Sequence, residues 1–383
     1  MGFHDVRSLA YPWDTLTDVT ATARAHPDGI VDLSIGTPVD PTPQVVRDAL
    51  AAAADAPGYP ATWGTPALRE AVAAWFARRR GVPDVDPAGV LPTIGSKELV
   101  GLLPSLLRLG PGDVVVHPRI AYPTYDVGAR LAGSTPLPAD DVDEWAGRRD
   151  VRLVWVNSPS NPTGAVADVE HLRRVVEEAR AVGAVVVSDE CYAELPWAER
   201  WTAPDGRSAV PSLLDPRVSG GSTDGLLVAY SLSKQSNVAG YRAAFVAGDP
   251  ALVADLLATR KHLGMIVPAP VQSAMTAALS DDAHVEDQRA VYGRRRAALL
   301  PALGAAGFAV DHSEAGLYLW VRPLDEVRGP RPTSRELAAR FATLGILVGP
   351  GEFYGDAGRG HVRVALTATD DSVAKAVVRL TSS

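Results

Sequence analysis

Four short, almost wholly apolar runs, spaced out by stretches of helical periodicity, constrain this chain more than any other feature. They are Asp113 to Val116, Val151 to Val156, Ala184 to Val187 and Leu226 to Ala229. A strand with one wet face alternates apolar and polar residues. These runs do not alternate, so both of their faces must be buried. Between the second and third runs, Val169, Leu172, Val175, Val176, Ala179 and Val182 fall at helical spacing, and Gly183 supplies a stop. Strands buried on both faces and joined by helices make a parallel sheet with helices on either side. Two more helices are readable. Thr65 caps one, with Pro66 at its first position and Gly81 as its stop. Ser96 caps the other, whose apolar face is Leu99, Leu102, Leu103, Leu106 and Leu107.

The pattern changes near residue 280. A long arginine-rich helix over Gln288 to Leu303 leads to a strand at Gly316 to Val321. A helix at Ser334 to Leu344, a strand at His361 to Leu366 and a closing helix follow. The expected organisation is an arm over 1–44 that completes part of a small domain, a large domain over 45–280, and a small α+β domain over 281–383. A chain of 383 residues is long enough for two or three domains.

The bulk numbers exclude several classes. A net charge of −8 argues against a general nucleic-acid binder. No run approaches the roughly 18 apolar residues of a membrane helix. The opening MGFHDVRSLAYPWD has no apolar core of a secretory signal. Cys191 is the only cysteine, so no intrachain disulfide forms, which fits a reducing cytoplasm. No metal site is expected.

Only four of the 37 basic residues are lysine: Lys97, Lys234, Lys261 and Lys375. Lys234 stands in Ser231-Leu232-Ser233-Lys234, just past the fourth apolar run. An amine can form an imine with an aldehyde and a guanidinium cannot, so a lysine kept here suggests covalent chemistry. In open α/β sheets, ligands bind at the carboxyl ends of the strands. Three other polar stretches lie at or near such ends. They are Asn157-Ser158-Pro159-Ser160-Asn161-Pro162-Thr163-Gly164, Ser188-Asp189-Glu190-Cys191-Tyr192, and Gly95-Ser96-Lys97. Read singly they are a turn, a helix cap and a helix start. Read together, in this order, they describe a site.

Here the chain resembles the fold-type I pyridoxal-phosphate enzymes, specifically the class I/II aminotransferases, over nearly its whole length. The motifs are Asn161-Pro162-Thr163-Gly164, an Asp-x-x-Tyr 28 residues on at Asp189 and Tyr192, Ser231-x-Ser233-Lys234, Arg242 eight residues later, and a late strand arginine, Arg363. The resemblance implies a mostly parallel central sheet covered by helices, a smaller α+β domain, and pyridoxal 5′-phosphate as cofactor. It implies that Lys234 carries the cofactor as an imine and then serves as the base. Asp189 would pair with the protonated ring nitrogen. Asn161 and Tyr192 would bond the ring's phenolic oxygen. Gly95, Ser96, Lys97, Ser231, Ser233 and Arg242 would cradle the phosphate, and Tyr122 would stack on the ring. Arg363 would grip a substrate α-carboxylate, with Gly36 allowing close approach. Tyr59 matches a tyrosine that reaches the neighbouring subunit's phosphate, which implies a homodimer with a shared active site.

Several less common segments, among them Val31 to Asp40, Gly58 to Gly64 and Arg260 to Met265, are most similar to actinobacterial succinyldiaminopimelate aminotransferases. That resemblance implies amino transfer between glutamate and N-succinyl-2-amino-6-oxopimelate. Both substrates carry a second carboxylate, so a second cation is expected across the pocket from Arg363. The basic cluster Arg260, Lys261 and His262 is the candidate, against a solvated helix face. Trp13 and Trp63 are candidates for lining the rest of the pocket, against ordinary core packing. Three other readings stay open: a different class I/II aminotransferase, a carbon–sulfur lyase using the same cofactor, and a non-catalytic binding module.

Overall fold

The computed structural model describes residues 12–324 and 331–382. Tyr11 lies outside the described residues. Thirteen strands are described: β1 (Val31–Asp32), β2 (Val90–Ile94), β3 (Val114–His117), β4 (Thr135–Pro138), β5 (Val151–Asn157), β6 (Val185–Asp189), β7 (Leu226–Ser231), β8 (Ala243–Gly248), β9 (Phe308–Asp311), β10 (Tyr318–Pro323), β11 (Ile346–Leu347), β12 (Gly349–Pro350) and β13 (Val362–Ala365). Seven form one sheet in the order β2-β8-β7-β6-β5-β3-β4. All four apolar runs are in it. The ladder from β7 through β6, β5 and β3 to β4 is parallel.

The sequence reading missed β8, which runs antiparallel to both β2 and β7. Its residues, Ala243-Ala244-Phe245-Val246-Ala247-Gly248, are mostly small, which weakens the strand signal. The sheet is therefore mixed, with one reversed strand.

Alternate residues of the buried strands serve two different cores. Val114, Val116, Val154, Val186 and Val228 pack on one face. Val115, Leu153, Trp155, Val187, Leu227 and Ala229 pack on the other. That is why the runs show no polar alternation. The helix Pro66–Trp75 is capped by the Thr65 hydroxyl and runs on through Phe76–Arg80 to a left-handed Gly81. The helix Ser96–Leu106 begins one residue earlier than a Ser96 cap would allow. Gly95 holds the cap position at φ 75°, and no side chain caps it.

The second sheet is antiparallel, in the order β12-β13-β10-β9. It packs with the helices Ala283–Ala305, Ser334–Thr343 and Asp370–Thr381 around its own core. β1, from the arm, pairs in parallel with β11. Leu33 and Ser34 then run beside β13, since Ala365 N–H donates to the Leu33 carbonyl. Among the described residues no helix is long and apolar enough to cross a membrane.

Candidate active site

Strand register gathers the polar stretches. Asn157 is in register with Asp189, and Asp189 with Ala229, two residues before Ser231. A cavity of about 1100 Å³ opens over these strand ends. Gly36, Ser96, Lys97, Tyr122, Asn161, Asp189, Tyr192, Ser231, Ser233, Lys234, Arg242 and Arg363 all line it, and Trp13 lies at its edge. These side chains come from both sheets and from the arm.

Asp189 is only 7% exposed. Tyr125 Oη donates to its Oδ2 at 2.8 Å, and the Cys191 amide donates to Oδ1 at 3.3 Å. Tyr125 is itself fixed by stacking on Trp155, with centroids 5.0 Å apart. Among the described residues no cation pairs with Asp189. Burial therefore pushes its carboxyl above the usual range, against those hydrogen bonds. A buried carboxylate held this way fits a ring nitrogen that carries a proton.

Lys234 is half-buried, and its amine donates to the Gly36 carbonyl. Burial lowers its pKa; Arg363 and Arg242 push the same way, while Tyr318 and Cys191 oppose. More of it is neutral near neutral pH than of an ordinary lysine, which suits an amine nucleophile.

The candidate phosphate cradle is shaped by space as much as by charge. A Cβ at residue 95 would strike the Arg242 guanidinium, so only glycine leaves the arginine its place. Arg242 adopts φ 56° and donates to the Ala239 carbonyl at 2.9 Å. Ser231 Oγ donates to Ser233 Oγ at 2.8 Å. Because no side chain caps the helix Ser96–Leu106, its first amides and positive dipole end are open to an anion. Lys97 is exposed at the rim.

Arg363 is 3% exposed and pairs with no described carboxylate. Its Nη1 donates to Asn161 Oδ1 at 3.1 Å and its Nη2 to the Ser34 carbonyl at 2.6 Å. Its Nε is buried without a partner. A guanidinium this deep, with a donor to spare, fits a carboxylate ligand. Asn161 is held in turn by its backbone N–H, which donates to Asn157 Oδ1 at 2.8 Å.

Other sequence candidates fall elsewhere. Arg260 is corrected: it is fully buried, and its fork bonds Glu98 at 2.8 and 3.0 Å, so it is not available to a substrate. Lys261 and His262 are exposed on the helix Pro250–Leu263 and do not line this cavity. Trp63 is also outside it, with Arg69 3.9 Å above its ring. Tyr59 is 100% exposed on the protomer and does not line the cavity.

Sequence reasoning missed Tyr125 and Tyr318. Tyr125 lies three residues after Tyr122, but nothing local marks it as Asp189's donor. Tyr318 was only a core strand residue, yet it lines the cavity and its hydroxyl lies 3.3 Å from that of Tyr192.

Comparison with known proteins gives the family. The model for aminotransferase class I and II matches residues 28–380. A probable aminotransferase of Mycobacterium tuberculosis is 59% identical, covering 97% of this chain and 85% of its own. The 4-dedimethylamino-4-oxo-anhydrotetracycline transaminase of Streptomyces rimosus is 56% identical, covering 97% and 98%. The crystal structure of an aminotransferase from Neisseria meningitidis superposes with a TM-score of 0.84 at 32% identity, covering 97% and 96%. The chain belongs to the class I and II aminotransferases, enzymes that work with pyridoxal 5′-phosphate.

Proposed function

We propose that Lys234 anchors the cofactor and moves the proton at the substrate α-carbon, while Arg363 grips the substrate's α-carboxylate. One observation carries this reading. Lys234, Asp189 and Arg363 are charged groups without a described counterion, and all three face one cavity. When bound, pyridoxal phosphate supplies an aldehyde and an electron-accepting ring. Asp189 keeps a proton on the ring nitrogen. Asn161 and Tyr192 reach the phenolic oxygen, and Tyr122 covers the ring. The first turn of the helix Ser96–Leu106, with Ser231, Ser233 and Arg242, holds the phosphate, and Lys97 adds charge at the rim. Gly36 lines the same cavity as Arg363 and stands on the substrate side, its missing side chain leaving room for the Tyr318 hydroxyl. Trp13, Phe353 and Tyr354 wall off water. Tyr59 completes the phosphate site of a second copy, so the working enzyme is a homodimer.

Substrate choice is the finer question. The succinyldiaminopimelate reading needs a second cation for a distal carboxylate. Arg260 is held by Glu98, and Lys261 lies outside this protomer's cavity. Two relatives above half identity carry other names. The better-supported reading is another class I/II aminotransferase, with an aspartate, alanine or aromatic donor; aspartate would need the same second cation, so an alanine or aromatic donor fits better. The aromatic wall of Trp13, Tyr122, Phe353 and Tyr354 favours the last of these. Succinyldiaminopimelate transamination remains the second reading, resting on the segments quoted above.

The test is a single half-reaction. Protein loaded with pyridoxal phosphate is mixed with each donor in turn, and the cofactor spectrum is followed. Fast conversion by an aromatic, alanine or aspartate donor, ahead of N-succinyl-diaminopimelate, supports the main reading; the reverse order supports the second. Release of pyruvate and ammonia from a cysteine conjugate without an acceptor points to a lyase. One relative is named for an oxo-tetracycline, so a cyclic ketone joins the acceptor panel.

A further inference from the structure

Tyr318 touches three parts of the candidate machinery, and none of the family motifs includes it. It starts β10, on the strand beside Arg363. The Arg363 guanidinium carbon lies 4.0 Å from the centroid of its ring, closer than to the rings of Tyr354 (4.9 Å) and Trp13 (5.8 Å). Its hydroxyl lies 3.3 Å from that of Tyr192, with the rings edge-on. The same hydroxyl fills the space that a Cβ at residue 36 would need. Gly36 in turn supplies the carbonyl that accepts from Lys234. One phenol thus packs against the carboxylate grip, a tyrosine of the cofactor site and the loop that holds the lysine. It is also 5% exposed, so it has no freedom to leave.

We propose that Tyr318 is the positioning residue for Arg363. Its ring face holds the guanidinium in the orientation a carboxylate needs, and its hydroxyl ties that grip to Tyr192. The inference rests on the reading of Arg363 as the carboxylate site. Two features support it. Arg363 has only two hydrogen bonds, both through its Nη atoms, so hydrogen bonding alone leaves the plane of the fork free to tilt. Stacking on an aromatic face fixes that plane. The electrostatics agree. Burial pushes the Tyr318 phenol up, but the Arg363 and Lys234 charges and the Tyr192 hydrogen bond together offset it, leaving it below the ordinary tyrosine value.

The test uses propionate, a carboxylate with no amino or oxo group, titrated calorimetrically into the cofactor-free protein and into the protein loaded with pyridoxal phosphate. Tyr318→Phe keeps the ring and loses the hydroxyl; Tyr318→Leu loses both. Tyr318→Met, with its adaptable side chain, replaces the leucine variant if that fails to fold. Tyr318→Leu should bind propionate about tenfold more weakly, and Tyr318→Phe within about threefold of wild type. In turnover, Tyr318→Leu should raise KM for amino donor and oxo acid together, with a smaller change in kcat. Arg363→Gln is the control. If it abolishes propionate binding while Tyr318→Leu binds as wild type does, the positioning role is overturned and the Arg363 reading stands. If Arg363→Gln binds propionate normally, the Arg363 reading itself fails.

Discussion

Two groups of buried charges meet at residues 189 and 190, and they are built in opposite ways. Behind the strand ends, Arg79 bonds Glu194 at 2.6 Å and Arg80 bonds Glu190 at 3.2 Å, with all four side chains nearly inaccessible. Glu190 also accepts from the Leu213 amide at 2.8 Å and the Ser212 hydroxyl at 3.1 Å. In front, Asp189, Lys234 and Arg363 have hydrogen bonds but no described ion-pair partner. Desolvating a charge costs several kcal/mol unless something compensates it. The rear group is compensated by the protein. On the proposed reading, the front group is compensated when cofactor and substrate arrive. Burial alone does not mark a functional charge; burial with the counterion left out does.

The largest expected effect belongs to the front group. Lys234→Ala should slow the half-reaction by about 10³-fold or more, because it removes both the anchor and the base. Stopped-flow spectra of the cofactor read this directly, and a variant within tenfold of wild type would break the comparison.

Next come the two buried arginines, which should separate cleanly. Arg363→Gln should cut kcat/KM about 10²-fold for every α-carboxylate substrate. It should cost at most about 1–2 kcal/mol of stability, since no carboxylate is stranded. Arg80→Met should do the reverse, costing about 3–5 kcal/mol by leaving Glu190 alone in the interior. Urea titrations of the two variants beside steady-state kinetics would show the contrast. Equal stability losses would count against it.

The smallest effect is at the surface. Tyr59→Phe should weaken pyridoxal phosphate binding by about threefold to tenfold, as one lost hydrogen bond would. It should leave the monomer's fold untouched. Cofactor affinity measured on the dimer, checked by analytical ultracentrifugation, tests the shared site.

Much of this was legible in the sequence, for a physical reason. Lys234, Asp189 and Asn161 each sit within a few residues of an apolar strand, so local pattern places them at the ends of a parallel sheet, while Arg242 was readable only through its motif spacing from Lys234. Arg363 was readable because it interrupts an apolar strand. What escaped depends on partners far along the chain. Arg260 looked like a substrate cation because its cluster is basic, while Glu98 lies 162 residues away. Tyr318 looked like core because its neighbours come from residues 36, 192 and 363. The reversed β8 escaped because small residues give little strand signal.

The most direct measurement is the thermal stability of cofactor-free Asp189→Asn and Glu190→Gln beside wild type across pH. Asp189 titrates above its unfolded value. Its stabilising contribution is therefore complete below the unfolded carboxylate range and is lost as pH rises through the folded value. Burial raises Glu190 as well, against the Arg80 charge, but Glu190→Gln would leave the Arg80 guanidinium in the interior without its carboxylate, whereas Asp189→Asn strands no cation. Near neutral pH, Asp189→Asn should therefore be more stable than wild type and Glu190→Gln less stable, and adding pyridoxal phosphate should stabilise wild type more than Asp189→Asn. If both substitutions destabilise the cofactor-free protein alike, the front charges are not held in reserve for cofactor and substrate.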